Sequence, residues 1–329
     1  MSASPDDVTI DPQTIKELHL FEAATSEVDT EITAKNYLMT KDIFTARQKT
    51  IAKIPSFWAV TFDNASSELE ATVTPKDLEV FSKALTQIEV RRPEIPAGAK
   101  PSDMGIDKFG EPRSLQFTFH FAPNEWIADK ALTKTFYFRY GKDGSAGLVS
   151  EPIKINWKSA DKDLTQGLSD AALAFYQAQK GNASQQLEAV LENSARHARD
   201  AAAKEMPEYK VLAKKLEDNT QGALSFFNFF SYRGRWISAA EHSTAKAELL
   251  AKRKAAEAGE DMDEDDDEDE DEEDFTEEAV ETFPAGHEVA VTLAEDIFPN
   301  AIDYFMDNTI DSDIDIDDDD DDEDEEMED

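Results

Sequence analysis

Apolar side chains recur at helical spacing along the first part of the chain, from about Asp11 to Lys53. This stretch has no glycine, and its one proline, Pro12, falls where the first turn of a helix tolerates it. Seven apolar positions lie mostly three, four or seven residues apart: Ile15, Leu18, Phe21, Val28, Ile32, Met39 and Ile43. The pattern predicts one long helix over residues 11–54.

Such a helix would be roughly 60 Å long, which is more than a compact domain of this size covers. The part of this helix that extends beyond its own core carries a near-heptad apolar seam with nothing in the chain to cover it. A second copy of the same helix can bury this seam, so we expect a homodimer. Lys35 interrupts the stripe, however, and packing of the whole helix on its own chain remains the alternative.

The period of the apolar pattern changes to two after a shorter predicted helix at 75–87. Alternation of this kind indicates strands with one buried face. Strands are predicted at 88–92, 115–121, 135–140 and 153–157. Because no helical pattern separates the last three, an antiparallel sheet is expected. "GKDGSAG" at 141–147 predicts a hairpin turn rather than a phosphate loop, since the Lys and Ser/Thr that complete such a loop are missing.

The rest of the ordered chain is mainly helical in pattern. Residues 164–222 are rich in alanine and predict two or three helices, with breaks at Gly181 and Pro207. "LSFFNFF" at 224–230 is the most apolar point of the chain and predicts part of the core. A further helix follows, and its last turns carry cations that suit the negative end of the helix dipole: Lys252, Arg253 and Lys254. The fold class is therefore α+β.

The formal net charge of −40 is concentrated in two runs. Residues 260–274 are acidic at fourteen of fifteen positions and 311–329 at fifteen of nineteen; without these 29 acids the net charge would be −11. Blocks of like charge are typical of disordered interaction tails. A basic protein partner fits them best, whereas direct binding to DNA or to an anionic membrane is disfavoured, because both require clustered cations.

Between these runs lies "AEDIFPNAIDYFMDNTI", residues 294–310, a compact apolar and aromatic stretch. We expect it to return to the core as the last folded element. Its predicted anchors are Ile297, Phe298, Ile302, Tyr304 and Phe305.

Residues that would carry enzyme chemistry are sparse. There is no cysteine, which excludes disulfides, thiolate zinc sites and a Cys nucleophile. The five histidines are scattered without metal-ligand spacing, and each is interpreted as a surface residue. "DSDIDID" at 311–317 spaces its aspartates like an EF-hand loop but has Ile316 where the turn needs glycine. We therefore expect no catalytic site, metal or cofactor.

No apolar run approaches 18 residues and no standard signal sequence opens the chain, so we also expect no membrane contact.

Four segments in this order resemble motifs of the nucleosome assembly protein family, within it the SET-like branch. They are "IAKIPSFWAVTF" at 51–62, "INWKS" with "KDLT" at 155–165, "SFFNFF" at 225–230 and "EDIFPNAIDYF" at 295–305. The resemblance implies a homodimer in which paired long helices carry two α/β earmuff domains. It also implies a nuclear histone chaperone that acts without ATP in nucleosome assembly and chromatin remodelling, with shuttling to the cytoplasm left open.

The resemblance also implies roles for individual residues. Seven motif positions should be structural: Phe57, Trp58, Phe226, Phe227, Ile297, Phe298 and Pro299. Glu295 and Asp296 match an acidic pair beside the last helix and are the candidate histone contacts on the folded surface. Further candidates come from the acidic runs: Asp261, Asp265, Asp266, Asp267, Asp318, Asp319 and Asp320.

The expected organisation has six parts. They are a disordered amino terminus at 1–10, the dimerisation helix at 11–54, the earmuff domain at 55–258, an acidic disordered loop at 259–280, the final earmuff helices at 281–310 and an acidic disordered tail at 311–329.

The expected partners are core histones and a second copy of the chain, with a histone acetyltransferase as a further candidate. The histones would be the H3-H4 pair, the pair formed by the two H2-type histones, or both. Two alternatives remain. One is a regulatory protein that scaffolds or inhibits an enzyme, either an acetyltransferase cofactor or a phosphatase inhibitor, and the other is an inert acidic coiled-coil scaffold.

Overall fold

The computed structural model describes residues 11–69, 72–219, 224–258 and 280–307. The amino terminus, almost all of the expected acidic loop and the acidic tail lie outside these ranges. Within them, no helix combines the length and apolar character needed to cross a membrane. The fold is α+β, with a four-stranded antiparallel sheet packed by helices, which confirms the fold class predicted from the sequence.

The long amino-terminal helix, α1, spans Pro12–Ile51. Asp11 caps it by accepting a hydrogen bond from the Thr14 backbone N–H at 3.0 Å, and Pro12 occupies the first turn, where its missing N–H costs nothing. Past Ile51 the chain turns at Ser56, which adopts a left-handed φ of 56°. The helix is 40 residues long, and its bounds agree with the long helix that the apolar spacing predicts.

The remaining helices are α2 (Phe57–Asn64), α3 (Pro75–Ala84), α4 (Leu168–Gly181), α5 (Asn193–Lys204), α6 (Pro207–Asp218), α7 (Ala239–Glu257), α8 (Gly286–Thr292) and α9 (Ala301–Met306). A π-helical turn, Leu293–Ile297, joins α8 to α9. Short 3-10 turns lie at Ile106–Lys108, Ala160–Lys162, Ala183–Gln185 and Phe226–Ser231. Helix α4 ends at Gly181 and α6 begins at Pro207, the two breaks that the sequence predicts.

The sheet contains β1 (Leu85–Arg91), β2 (Leu115–Phe121), β3 (Ala131–Tyr140) and β4 (Ala146–Ser150), paired in chain order as an antiparallel meander. Along β2, the side chains at odd-numbered positions are buried and those at even-numbered positions are half-exposed. Ile88 pairs with Phe119, and Phe119 pairs with Leu132, so apolar side chains of three strands share the inner face.

The fourth strand is not the predicted one. Residues 146–150 pair with β3 because the tight turn at 141–145 returns the chain directly onto it; Gly144 supplies a φ of 80°, and Gly141 N–H donates to the Ser145 carbonyl at 2.8 Å. The 153–157 segment instead bonds elsewhere. Its Ile153 N–H donates to the Phe230 carbonyl at 3.0 Å, and Trp157 forms an isolated bridge with Ile127.

The main core lies between the inner face of the sheet and α2 and α3. At its centre, the 3-10 turn at 226–231 buries all four of its phenylalanine rings completely. Phe226 lies 5.7 Å from Phe62 of α2 and 5.5 Å from Phe81 of α3, measured between ring centroids, and Phe230 lies 5.3 Å from Phe119 of β2. These edge and tilted contacts join three layers in one aromatic cluster.

A charged side chain, Lys134, lies on the same inner face, where the alternating pattern of β3 predicts only apolar groups. It is completely buried, and its Nζ donates to the backbone carbonyls of Glu151 at 2.8 Å and Tyr232 at 2.6 Å. Burial lowers its pKa well below the ordinary value, although the nearby Glu281 and Glu151 carboxylates partly oppose this. The carboxylate of Glu281 accepts backbone N–H groups of residues 233, 234 and 283. Lys134 thus joins the segments around residues 151 and 232, and Glu281 ties the start of the last described segment to residues 233 and 234.

Helices α4 to α6 form a smaller core of their own beside the sheet. Phe175 of α4 packs edge-on against Tyr209 of α6 at 5.5 Å, and Leu168 and Leu212 are buried with them. Val280, the first described residue after the gap that follows Ala258, is buried in the same cluster. Residues from α4 to α6 thus pack on Val280 as well as on the sheet.

Asp77 links α3 to the central aromatic turn. Its carboxylate is completely buried and accepts hydrogen bonds from the Thr74 N–H at 2.8 Å, the Thr74 hydroxyl at 2.6 Å, the Phe226 N–H at 3.0 Å and the Ser225 hydroxyl. A buried carboxylate with four donors is fully satisfied, so its removal leaves donors without acceptors.

We predict that Asp77→Ala lowers the free energy of unfolding by about 2–4 kcal/mol, because buried N–H groups lose their acceptor. Glu79→Ala is the matched control: Glu79 lies on the same helix and pairs with Lys83 at the surface, and its loss should cost less than about 1 kcal/mol. Urea unfolding at fixed protein concentration measures both. Equal, small changes in the two variants would contradict the assigned role.

His242 corrects the interpretation of every histidine as a surface residue. Its ring stacks on Tyr140 with 5.7 Å between centroids, and its Nδ1 accepts the Tyr140 N–H at 3.0 Å. Burial, with smaller effects from Arg139 and Lys246, lowers the pKa of His242 to about 4. An unfolded histidine titrates near 6.5, so below that pH the unfolded chain binds a proton that the folded chain does not.

Stability should therefore fall as pH decreases from about 6.5 towards 4, by on the order of 1 kcal/mol from this group. His242→Asn keeps an acceptor for the Tyr140 N–H and cannot titrate, so its loss of stability between pH 7 and pH 5 should be smaller than that of the wild type. Urea unfolding at the two pH values provides the comparison. An identical loss in both proteins would show that His242 does not contribute.

Candidate functional site

The apolar stripe of α1 is open to solvent. The seven side chains that the sequence predicts for self-association are each between 39 and 70 % exposed. They are Ile15, Leu18, Phe21, Val28, Ile32, Met39 and Ile43. Such a contiguous apolar strip is unusual on the surface of a monomer and is typical of an interaction site.

The opposite face of α1 packs on the rest of the chain. Successive residues of a helix are turned by about 100°, so Thr30 and Ala34, both buried, point away from Val28 and Ile32. The buried face contacts β1, α7 and the turn at 106–108. One helix thus has two distinct apolar faces, of which the chain covers one.

Lys35, predicted to interrupt the stripe, lies at its edge. Its Nζ forms an ion pair with Glu31 Oε1 at 2.6 Å, one helical turn away. At about 100° per residue, the apolar side chains from Leu18 to Ile43 lie within about 80° around the helix, and Lys35 lies just outside that range.

The last described segment closes against the carboxyl-terminal half of α1. The Phe298 ring lies 5.2 Å from that of Phe44 on α1 and 6.1 Å from that of Trp58 on α2, stacked parallel to the latter. Arg47 donates to the carbonyls of Phe298 at 2.6 Å and Pro299 at 2.8 Å. Burial lowers the pKa of Arg47 to about 10, which leaves it charged at neutral pH.

A cleft of about 500 Å³ lies between α1, strand β1 and residues 294–299. The Gln48 side chain crosses it and donates from Nε2 to the Ile88 carbonyl on β1 at 2.6 Å. Cations and carboxylates line the cleft in equal number: Lys41, Arg91, Arg92, Asp42, Glu89 and Glu295. With balanced charge, the cleft has no strong net field of its own.

Both members of the predicted acidic pair hold part of the fold. Arg92 donates to Glu295 Oε1 at 3.0 Å, which ties the end of β1 to the π-helical turn, while the Glu295 side chain stays 48 % exposed. Asp296 accepts from the Tyr304 hydroxyl at 2.7 Å and from the Asn300 amide at 2.8 Å. Burial, with the adjacent Asp296 carboxylate, raises the pKa of Tyr304. Glu295 is thus the member with a carboxylate oxygen left for an outside partner.

The seven motif residues lie inside the fold or at its edge. Phe57, Trp58, Phe226, Phe227, Ile297 and Phe298 are buried, and Pro299 is half-buried. Of the predicted anchors of the last segment, Ile302 is wrong: it is 49 % exposed. Helix α9 turns Ala301 and Phe305 inward instead, and Phe305 stacks on Phe57 at 4.7 Å.

The other candidate histone contacts fall in the acidic runs, outside the described residues. These are Asp261, Asp265, Asp266, Asp267, Asp318, Asp319 and Asp320. Within the described ranges, no group of His, Asp and Glu is arranged to hold a metal ion.

Three residues that hold the site together were not predicted from the sequence: Arg47 and Arg92 bind α1 and the end of β1 to the last segment, and Gln48 binds α1 to β1. Each interacts with a residue at least 40 positions away in the chain. Periodicity within a segment carries no signal for such contacts.

Known proteins resemble this chain over different lengths. NAP1-related protein 1 of Arabidopsis thaliana is 31 % identical over 148 residues, which are 45 % of this chain and 49 % of that protein. Nucleosome assembly protein 1 of Candida albicans is 27 % identical over 115 residues, 34 % of this chain and 22 % of that protein. The chain thus spans about half the length of the first of these relatives, and less of the second.

Solved structures align over most of the chain at low identity. The crystal structure of Ccp1 covers 90 % of this chain and 95 % of its own at 20 % identity, with a TM-score of 0.47. Nucleosome Assembly Protein 1 from Plasmodium knowlesi covers 93 % of this chain and 99 % of its own at 16 % identity, with a TM-score of 0.38. Both TM-scores lie below 0.5, so neither likeness bears on function.

A family model supplies the wider match. The model described as nucleosome assembly protein (NAP) matches residues 13–308, from the start of α1 to the end of the last described segment. The match includes the long helix, the sheet, the aromatic turn and the residues around Phe298. The chain belongs to the nucleosome assembly protein family.

Proposed function

We propose that the protein is a histone chaperone that binds core histones and acts in nucleosome assembly and chromatin remodelling. The observation that carries the proposal is the family match over residues 13–308 together with two acidic runs at 260–274 and 311–329. Histones are dense in Lys and Arg, and clustered carboxylates are the complementary chemistry.

The described structure supports a mechanism in which acidic segments are attached to a rigid domain. The first run lies between Ala258, at the end of α7, and Val280, which is buried; the second run follows Asp307, the residue after α9. Both are thus tethered to one domain. Their carboxylates would compete with DNA phosphate for histone cations, in a way that weakens with salt because exposed charges are screened.

The domain itself would supply selectivity through fixed groups such as Glu295, with Asp296 as a less accessible neighbour. The mechanism is binding alone, without ATP, cofactor or catalytic step. We place the activity in the nucleus, with shuttling to the cytoplasm and a histone acetyltransferase partner as further proposals.

We expect full-length protein to form a stoichiometric complex with core histones at moderate salt and to bind lysozyme, an unrelated basic protein, much more weakly. Deletion of 311–329 should weaken histone affinity by about tenfold and flatten its dependence on salt, because exposed carboxylates are lost. Fluorescence titration from low to moderate salt, run separately with the H3-H4 pair and with the pair of H2-type histones, measures both effects.

Equal affinity for histones and lysozyme would contradict the proposal that the protein binds histones specifically. Tight binding to a chromatin-modifying enzyme without histones would favour the regulatory alternative, and an unchanged affinity after deletion would favour an inert scaffold. Circular dichroism of the deletion variant controls for loss of fold.

Self-association through α1 is the second part of the proposal. The exposed apolar residues mirror each other about Thr30: Val28 and Ile32 are each two positions away, Phe21 and Met39 each nine. A seam with this symmetry matches a copy of itself that runs in the opposite direction. In such an antiparallel pair, Leu18 of one copy meets Ile43 of the other, since they are twelve and thirteen positions from Thr30.

The chain has no cysteine, so introduced cysteines test this directly. We expect Leu18→Cys/Ile43→Cys to form a covalent dimer on mild oxidation, because a disulfide requires Cα atoms about 6 Å apart. The two positions are about 37 Å apart within one helix, so no bond can form inside one chain. Each single variant should remain uncrosslinked. A crosslinked Leu18→Cys single variant would instead indicate parallel helices. Non-reducing gels give the result.

A further inference from the structure

The loop that precedes the turn at 106–108 is fixed against α1. The Gly105 backbone N–H donates to Glu31 Oε2 at 3.0 Å, and Lys35 Nζ donates to Met104 Sδ at 3.3 Å. The same Lys35 pairs with Glu31 at 2.6 Å, so three neighbouring groups hold the loop on the helix. Gly105 has a φ of 91°, and a Cβ added there would lie 2.8 Å from Asp107 Oδ1, which restricts this bend to glycine.

The loop presents Met104 to solvent. The side chain is 73 % exposed, more than any other large apolar side chain in the described ranges. A tightly bonded loop that displays an unbranched apolar side chain is typical of a contact surface, because methionine adapts to irregular neighbours.

Met104 stands beside the exposed stripe of α1. Its anchor, Lys35, lies about 20° around the helix from Val28 and about 40° from Met39. The loop thus lies beside the stripe, between it and the face of α1 that contacts β1, α7 and the turn at 106–108.

We propose that Met104 contacts α1 of a second copy, so that each earmuff domain touches both helices of the dimer. The inference rests on the self-association proposed above. An antiparallel pair centred on Thr30 places residues 31–35 of one helix opposite residues 25–29 of the other. On the side of the seam that faces the loop, the second copy presents Ala24 and Val28, both exposed in the single chain.

The contact would fix the orientation of each domain relative to the dimer axis. Paired helices alone leave the domains attached only through α1, so their separation would follow the bending of the helices. A domain that also contacts the second helix has a defined position, and the acidic segments of the two copies would then face a partner at a set spacing.

Met104→Asp tests the contact, because a carboxylate at an apolar interface loses its hydration without gaining a partner. We expect the dissociation constant of the full-length dimer to rise at least about tenfold. Met104→Leu, which keeps an apolar side chain of similar volume, should stay within about threefold of wild type. Val211→Asp is the matched control, since Val211 is 54 % exposed on α6, a helix that packs on α4 and α5, and its dissociation constant should equal that of wild type. A dilution series of labelled protein in the ultracentrifuge measures all four proteins.

The double variant Val28→Asp/Ile32→Asp distinguishes failure of the Met104 contact from failure of the α1 self-association. If this variant is monomeric while Met104→Asp dimerises like wild type, the helix pair stands and the loop contact is wrong. If Val28→Asp/Ile32→Asp still dimerises with wild-type affinity, the proposed self-association itself fails. If Met104→Asp and Val211→Asp weaken the dimer equally, the effect is one of added charge, and the contact is again overturned.

Discussion

One aromatic ring of the last described segment holds the carboxyl-terminal half of the long helix against the domain. Phe298 lies between Phe44 of α1 and Trp58 of α2, and Arg47 holds the carbonyls of Phe298 and of the proline that follows it. Aromatic burial of this kind is among the larger single contributions to a core. The last described segment thus fixes α1, the first element of the fold, although the chain must pass through an acidic run before it reaches that point.

Fixing one face of α1 leaves the other face open. Thr30 and Ala34 are buried against the domain, while Val28 and Ile32 point away from it, and no part of the described chain covers them. The same helix can therefore be core on one side and interface on the other. Lys134 and Asp77 act similarly at shorter range: each is a buried ionisable side chain whose hydrogen bonds join segments distant in the chain.

The sequence was sufficient for features that depend on local period. The long helix and β2 follow from repeated apolar spacing, and the burial of residues 226–230 follows from the density of phenylalanine there; the 3-10 turn that they form was not predicted. Features that depend on distant partners were not predictable in this way. The 153–157 segment alternates like a strand, yet bonds to residue 230 because the 141–145 hairpin supplies β4 first. The pairing of Glu295 with Arg92 likewise joins residues 203 positions apart.

The burial of Val280 has a consequence for how the acidic segment between it and Ala258 could change. Because Ala258 ends α7 and Val280 is buried, that segment is attached to the domain at both ends, and attachment of this kind gives its carboxylates a local concentration on the order of millimolar, which falls as the segment lengthens. Loop closure costs only about 0.6 kcal/mol for each doubling of length. Insertion or deletion of acidic residues in this segment would change the number of carboxylates that the molecule offers to a basic partner, while the described fold would stay the same.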